Sequence, residues 1–109
     1  MSLDVLDLHF HYSPREALLR VNNASARETS LLSPEKFDQM IASARVATFI
    51  GPQAAFLLAF EQIDDYDGSH FHWFRGRFDK FLYIDRVVVA EDFRCHGYGA
   101  MLFVSTFAA

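Results

Sequence analysis

The run LYIDRVVVA at positions 82–90 passes directly into EDFRCHGYGAMLF at 91–103, and this junction limits the possible folds more than any other part of the chain. Nine residues rich in Val, Ile and Tyr with only two polar members read as a strand buried over most of its length. Asp85 and Arg86 are those two, and because they are adjacent, an unbroken strand sends them to opposite faces. Gly97 and Gly99 then interrupt the apolar pattern, and Tyr98, Met101 and Leu102 resume it at helical spacing. A strand, a glycine turn and a helix must therefore follow one another within some twenty residues.

The rest of the chain supplies partners for that strand. Residues 3–8 alternate apolar and acidic side chains and predict a short first strand. Ser13, Pro14 and Glu16 form a helix-start signal followed by Ala17, Leu18 and Val21, and Asn22 and Asn23 loosen the pattern. Ser33, Pro34 and Glu35 repeat the signal, with Phe37, Met40, Ile41 and Ala44 at i, i+3, i+4 and i+7. Residues 45–50 read as a strand, Gly51 and Pro52 as a tight turn, and residues 54–60 as its hairpin partner. The acidic turn of Asp64, Asp65, Asp67 and Gly68 leads into HFHWFRGRFDKF, an aromatic and basic segment without clean periodicity. The expected order is β-α-α-β-β-β-α.

Length and balance narrow the class. A chain of 109 residues with 51% hydrophobic and 16% aromatic content suits one domain, 1–109, with a full core. Acidic residues outnumber basic ones by 14 to 10, for a formal charge of −4, which argues against a broad nucleic-acid surface. Cys95 is the one cysteine, so no disulfide framework and no cysteine-rich metal site are expected, as suits a reducing cytoplasm. The first ten residues carry aspartates rather than a basic region and a long apolar stretch, so neither a signal peptide nor a membrane anchor is expected.

The glycine turn has a chemical reading. A helix N-terminus offers unpaired N–H groups and partial positive charge, glycines let a ligand approach the backbone, and Arg94 adds a guanidinium at the mouth. The three-glycine dinucleotide fingerprint is not met, because position 102 is Leu102, and no Gly-Lys-Ser/Thr ending follows. The segment Arg94-Cys95-His96-Gly97-Tyr98-Gly99, behind the apolar strand, resembles instead the coenzyme A signature Arg/Gln-x-x-Gly-x-Gly/Ala of the GNAT superfamily of N-acetyltransferases. The element order of the chain is similar to that family's as well.

The resemblance implies an α/β, GNAT-like acyl-CoA N-acyltransferase fold, with a mixed, mostly antiparallel sheet flanked by helices and the C-terminal half missing. It implies acetyl-CoA as co-substrate, no metal, and acetyl transfer to a primary amine by direct attack in a ternary complex. The backbone of Val87, Val88 and Val89 would bind the pantetheine arm, with an N–H near Val88 as oxyanion donor. Arg94, Cys95, His96, Gly97, Tyr98, Gly99 and Ala100 would hold the pyrophosphate. Some relatives carry a glutamate base where Tyr83 stands here, so Asp85, of the same strand parity, is the substitute base, directly or through a water. Tyr83 itself is the second catalytic candidate, weighed against a role as a core ring, and Asp85 and Arg86 are weighed against simple pairing with other charges.

Further residues carry competing readings. Glu28 lies where such folds often line the acceptor site, but a solvated surface glutamate is the favoured reading. Cys95 at a helix N-terminus favours a thiolate, against the plain reading of a variable loop position. The repeats His9-Phe10-His11 and His70-Phe71-His72 each place two imidazoles on one face of a strand as potential metal ligands, with packed or surface histidines as the default. The rings and cations of HFHWFRGRFDKF have the composition of a single-strand nucleic-acid platform, which the acidic balance opposes. The partners expected are a small-molecule or peptide amine and a second copy of the chain, with no nucleic acid and no membrane. A coenzyme A-binding or dimerising relative without activity is the alternative, since the tyrosine that commonly protonates the thiolate in such enzymes lies beyond the third helix, and an unpaired strand edge favours association.

Overall fold

A computed structural model describes residues 5–24, 31–51, 54–61, 76, 81–94 and 96–108. Among these residues the strands are β1 (Val5–Asp7), β2 (Val46–Ile50), β3 (Ala55–Glu61) and β4 (Leu82–Val89), and the α-helices are α1 (Arg15–Ala24), α2 (Pro34–Ser43) and α3 (Tyr98–Ala108). Among the described residues these elements follow one another in the expected order. The strands form a single sheet in the order β1-β2-β3-β4, and every pairing is antiparallel. The domain is thus α/β, with α1 and α2 on one face of the sheet and α3 on the other.

β3 explains why two helical layers are needed. Its sequence AFLLAFE has no alternation, and all its residues except Glu61 are buried, so both faces must be covered. Phe56, Leu58 and Phe60 join Phe37, Met40, Ile41, Leu18 and Leu8 in the core beneath α1 and α2. Ala55, Leu57 and Ala59 pack with Ile50 and Leu102 beneath α3. The division is large against small: phenylalanines meet the two-helix layer, and alanines let the single helix α3 approach closely. Each fully buried Phe or Leu contributes about 1.5–3 kcal/mol through removal of apolar area from water.

The helix starts follow their caps. Ser33 Oγ accepts the Lys36 N–H at 3.1 Å, and Pro34 occupies the first turn of α2, where its missing N–H costs nothing. α1 begins at Arg15, with the Leu18 N–H donated to the Pro14 carbonyl at 3.0 Å. It runs through Asn22 and Asn23 instead of loosening there, because both side chains find polar partners inside the structure. The first strand stops at Asp7, before the Leu8 at which the alternation ends, since Leu8–Phe10 turn into a 3-10 helix capped by Asp7, while residues 3 and 4 lie outside the described residues. Among the described residues no helix is long and apolar enough to cross a membrane.

Candidate functional site

The strand β4 does not keep one parity. Leu58 faces Arg86 while Ala59 faces Ile84, so Asp85 is an extra residue and β4 carries a β-bulge there. Before it, Leu82 and Ile84 pack on the α3 side and Phe81 and Tyr83 on the α1/α2 side. After it, the assignment inverts: Val88 packs on the α1/α2 side and Val89 on the α3 side. Arg86 therefore shares a face with Asp85, contrary to the expectation of opposite faces, and the two are ion-paired. Arg86 Nε donates to Asp85 Oδ2 at 2.6 Å, with side chains 7% and 9% exposed, so the pair lies inside the protein. Arg86 Nη1 donates to Asn22 Oδ1 on α1 at 2.9 Å, and Asn22 is fully buried.

Tyr83, Asp85 and Arg86 thus stand together on the α1/α2 side. The Tyr83 phenol is pushed above its ordinary value, first by burial and then by the Asp85 carboxylate, with the Arg86 guanidinium partly offsetting both. The hydroxyl keeps its proton at neutral pH.

Beyond the bulge, β4 has one side that pairs with no strand among the described residues. The Ala90 N–H is donated inward to the Ala54 carbonyl at 2.7 Å. By the alternation of an antiparallel ladder, Val88 then also turns its backbone groups toward β3, while those of Val87 and Val89 turn away. The Arg94 guanidinium agrees with this, since its Nε donates to the Val89 carbonyl at 3.4 Å from the outer side. The outward N–H groups are accordingly those of Val87 and Val89, and the Val88 N–H, expected as an oxyanion donor, points into the sheet. Among the described residues β3 is the only strand neighbour of β4.

A 3-10 turn, Glu91–Phe93, carries the chain from this edge to Gly97 and α3. Gly97 has a φ of +79°, a backbone conformation that disfavours any side chain, and a Cβ there would meet nothing within 4 Å. The turn is open on that side. Gly99 differs: a Cβ would lie 3.8 Å from Val89 and 3.9 Å from Val87, ordinary contact distances that the fold tolerates. The Met101 N–H closes the first helical hydrogen bond on the Gly97 carbonyl at 3.0 Å, which leaves the N–H groups of Tyr98, Gly99 and Ala100 without intrahelical partners. Aromatic rings border the turn, with His96 stacked on Tyr98 at 5.8 Å and Phe93 5.9 Å from Tyr98. A cleft of about 220 Å³ lies alongside, between α1 and the 3-10 turn, and Arg20 and Arg94 both line it.

The structure brings Tyr83 and Asp85 together on one side of β4, and Val87, Val89, Arg94 and the turn His96, Gly97, Tyr98, Gly99 and Ala100 together at its outer edge and end. Cys95, Glu28, His70 and His72 lie outside the described residues, as does nearly all of HFHWFRGRFDKF. The His9-Phe10-His11 pair does not converge on a common point: His9 bonds Asp7 Oδ1 and the Ala44 carbonyl, and His11 Nδ1 bonds the Asp7 carbonyl. Among the described residues no group of three or more His, Cys, Asp or Glu side chains is arranged to hold a metal ion.

Three contributors were not visible in the sequence. Arg86 as the partner of Asp85 depends on the bulge, Asn22 reaches it from 64 positions away, and Arg20 joins the cleft only through the packing of α1. Comparison with protein-family models, with curated proteins and with solved structures returns no match.

Proposed function

We propose that the chain binds acetyl-CoA along the outer edge of β4 and the glycine turn, in a GNAT-like fold, and transfers the acetyl group to a primary amine. The observation that carries this is the continuity of two backbone surfaces: the outward N–H groups of Val87 and Val89 run directly into the open, positive-φ turn at Gly97 and the N-terminus of α3. An extended amide-bearing arm suits the first, and a diphosphate suits the second.

The co-substrate supplies a thioester carbonyl activated toward amines. Val87 or Val89 would donate an N–H to the carbonyl oxygen as negative charge develops on it. Gly97, Tyr98, Gly99 and Ala100 would hold the diphosphate with backbone groups, and Arg94 would add a charged donor at the mouth. Asp85, through a water, would take the proton that the amine nitrogen loses on bonding to the acetyl carbon, while the thioester C–S bond breaks and coenzyme A leaves as a thiolate that takes its proton from water. Tyr83, which retains its proton, is a donor beside that carboxylate.

One observation favours a second reading, a coenzyme A-binding protein without turnover: Asp85 Oδ2 is already engaged by Arg86. Acetyl transfer from acetyl-CoA to a panel of small amines and peptide N-termini separates the two. Product formation that Asp85→Asn reduces at least about a hundredfold supports the transferase with Asp85 as base. Saturable binding of acetyl-CoA with no transfer to any amine supports the second reading.

A further inference from the structure

We propose that Asn22 is a positioning residue that aims the Asp85 carboxylate through Arg86, and that Asn23 extends the same chain of hydrogen bonds to the segment entering α2. Only the catalytic consequence rests on the transferase reading; the relay itself does not.

Asn22 sits in the last turns of α1 with no exposed surface. Asparagine is a poor helix former, and a leucine there would add to the core, so packing does not explain an amide. Its hydrogen bonds do. Oδ1 accepts from Arg86 Nη1 at 2.9 Å, and Nδ2 donates to Asn23 Oδ1 at 3.0 Å. Asn23 then holds both backbone groups of Leu32: its Oδ1 accepts the Leu32 N–H at 3.0 Å and its Nδ2 donates to the Leu32 carbonyl at 3.1 Å. The line Asp85–Arg86–Asn22–Asn23–Leu32 joins the bulge of β4, the end of α1 and the approach to α2.

The planarity of the guanidinium makes this a lever. Arg86 uses Nε for Asp85 and Nη1 for Asn22, so the two acceptors together fix the plane and rotation of one rigid fork. A shift of Asn22 turns the fork, and the carboxylate 2.6 Å from Nε turns with it. Movement of the chain at Leu32 reaches Asp85 by the same route.

The test measures hydrogen exchange at Arg86 Nε–H and at the Leu32 amide by NMR, in the wild type, Asn22→Ala, Asn22→Asp and Asn23→Ala. Asn22→Ala is expected to accelerate exchange at Arg86 Nε–H by about tenfold or more. Asn23→Ala is the sharper probe, because Asn23 bonds Asn22 and Leu32 and so stands one step further along the line from Arg86: it is expected to accelerate exchange at Leu32 and, by about threefold or more, at Arg86 as well. Unchanged Arg86 exchange in Asn23→Ala overturns the relay, and it does so even if Asn22→Ala fails to fold. The catalytic arm uses acetyl transfer. Asn22→Asp gives Arg86 a second carboxylate to bind, so kcat falls about tenfold and the acid limb of the pH–rate profile moves while the KM for acetyl-CoA stays constant. An unchanged kcat and profile overturns the positioning role. If the wild type acetylates no amine, the transferase reading fails, and the exchange measurements still decide the relay.

Discussion

Replacing Arg86 with Met keeps the length and apolar stem of the side chain and removes its charge. Asp85 then loses a guanidinium 2.6 Å from its Oδ2, at a site where the carboxylate is only 9% exposed. Removing one partner of a buried ion pair costs about 3–5 kcal/mol, because the remaining charge stays in a poorly solvating environment. Asp85 belongs at the lower end of that range, since the β-bulge interrupts the ladder there and lets water approach more easily than in a regular stretch of strand. The prediction is therefore a loss of about 3 kcal/mol by urea denaturation, a large part of the 5–15 kcal/mol typical of a domain. Asp85→Leu combined with Arg86→Met removes both charges and is expected to be more stable than Arg86→Met alone by at least about 1 kcal/mol. A loss below about 1 kcal/mol for the single variant, or a double variant less stable than the single, would refute a buried and mutually dependent pair.

Ser33→Ala removes the cap of α2 and is expected to cost about 1 kcal/mol in the same assay, whereas Ser33→Asp retains an acceptor and stays near wild type. Gly97→Ala forces a side chain into a positive-φ position and costs about 1–2 kcal/mol, while Gly99→Ala, with 3.8 Å of clearance, leaves stability within about 0.5 kcal/mol of wild type. Equal losses for the two glycines would contradict the backbone geometry of the turn. Tyr83 gives a pH dependence of known sign. Its phenol is raised above 10.0 in the folded state, so the folded protein holds the proton more tightly than the unfolded chain. That contribution is complete below pH 10 and disappears as the pH rises through the folded-state value. The stability difference between wild type and Tyr83→Phe should thus be flat from pH 7 to about 9.5 and move against the wild type above that, as followed by denaturation at each pH. A difference that changes between pH 7 and 9 would contradict the raised phenol.

The fold was readable where local signals and burial agree. Ser33 and Pro34 announce α2, Phe37, Met40 and Ile41 define its buried face, and the unbroken apolar run of β3 calls for cover on both sides. Asn22 and Asn23 misled because helix propensity is a weak local preference that buried hydrogen bonds override. Asp85 and Arg86 misled for a different reason. The two-residue alternation of a strand holds only while pairing is regular, and one inserted residue sends every later side chain of β4 to the other face. Nothing within the run LYIDRVVV marks which residue is inserted, since the bulge is settled against Leu58 and Ala59 on the neighbouring strand.

The candidate site divides along the same line. The glycine turn was legible because Gly97 answers a backbone requirement that sequence displays directly. The outward direction of Val87 and Val89, as opposed to Val88, depends on which ladder positions bond to β3, and residue identity carries no sign of it. Arg20 comes to the cleft beside Arg94 through the packing of α1 across the sheet, a long-range outcome without a local pattern. Exposure on α3, in contrast, follows from the spacing. Phe103, Val104 and Phe107 are 49%, 63% and 57% exposed, and they lie off the apolar stripe of Tyr98, Met101 and Leu102 that the spacing marks.

Binding of acetyl-CoA tests the proposed use of the β4 edge and glycine turn most directly. Calorimetric titration, paired with thermal unfolding of wild type and Gly97→Ala, should give saturable binding to the wild type and stabilise it by about 2.7 kcal/mol at a hundredfold excess over Kd. Gly97→Ala should fold and bind at least about tenfold more weakly. Absence of heat and of any thermal shift in the wild type at millimolar acetyl-CoA would contradict it.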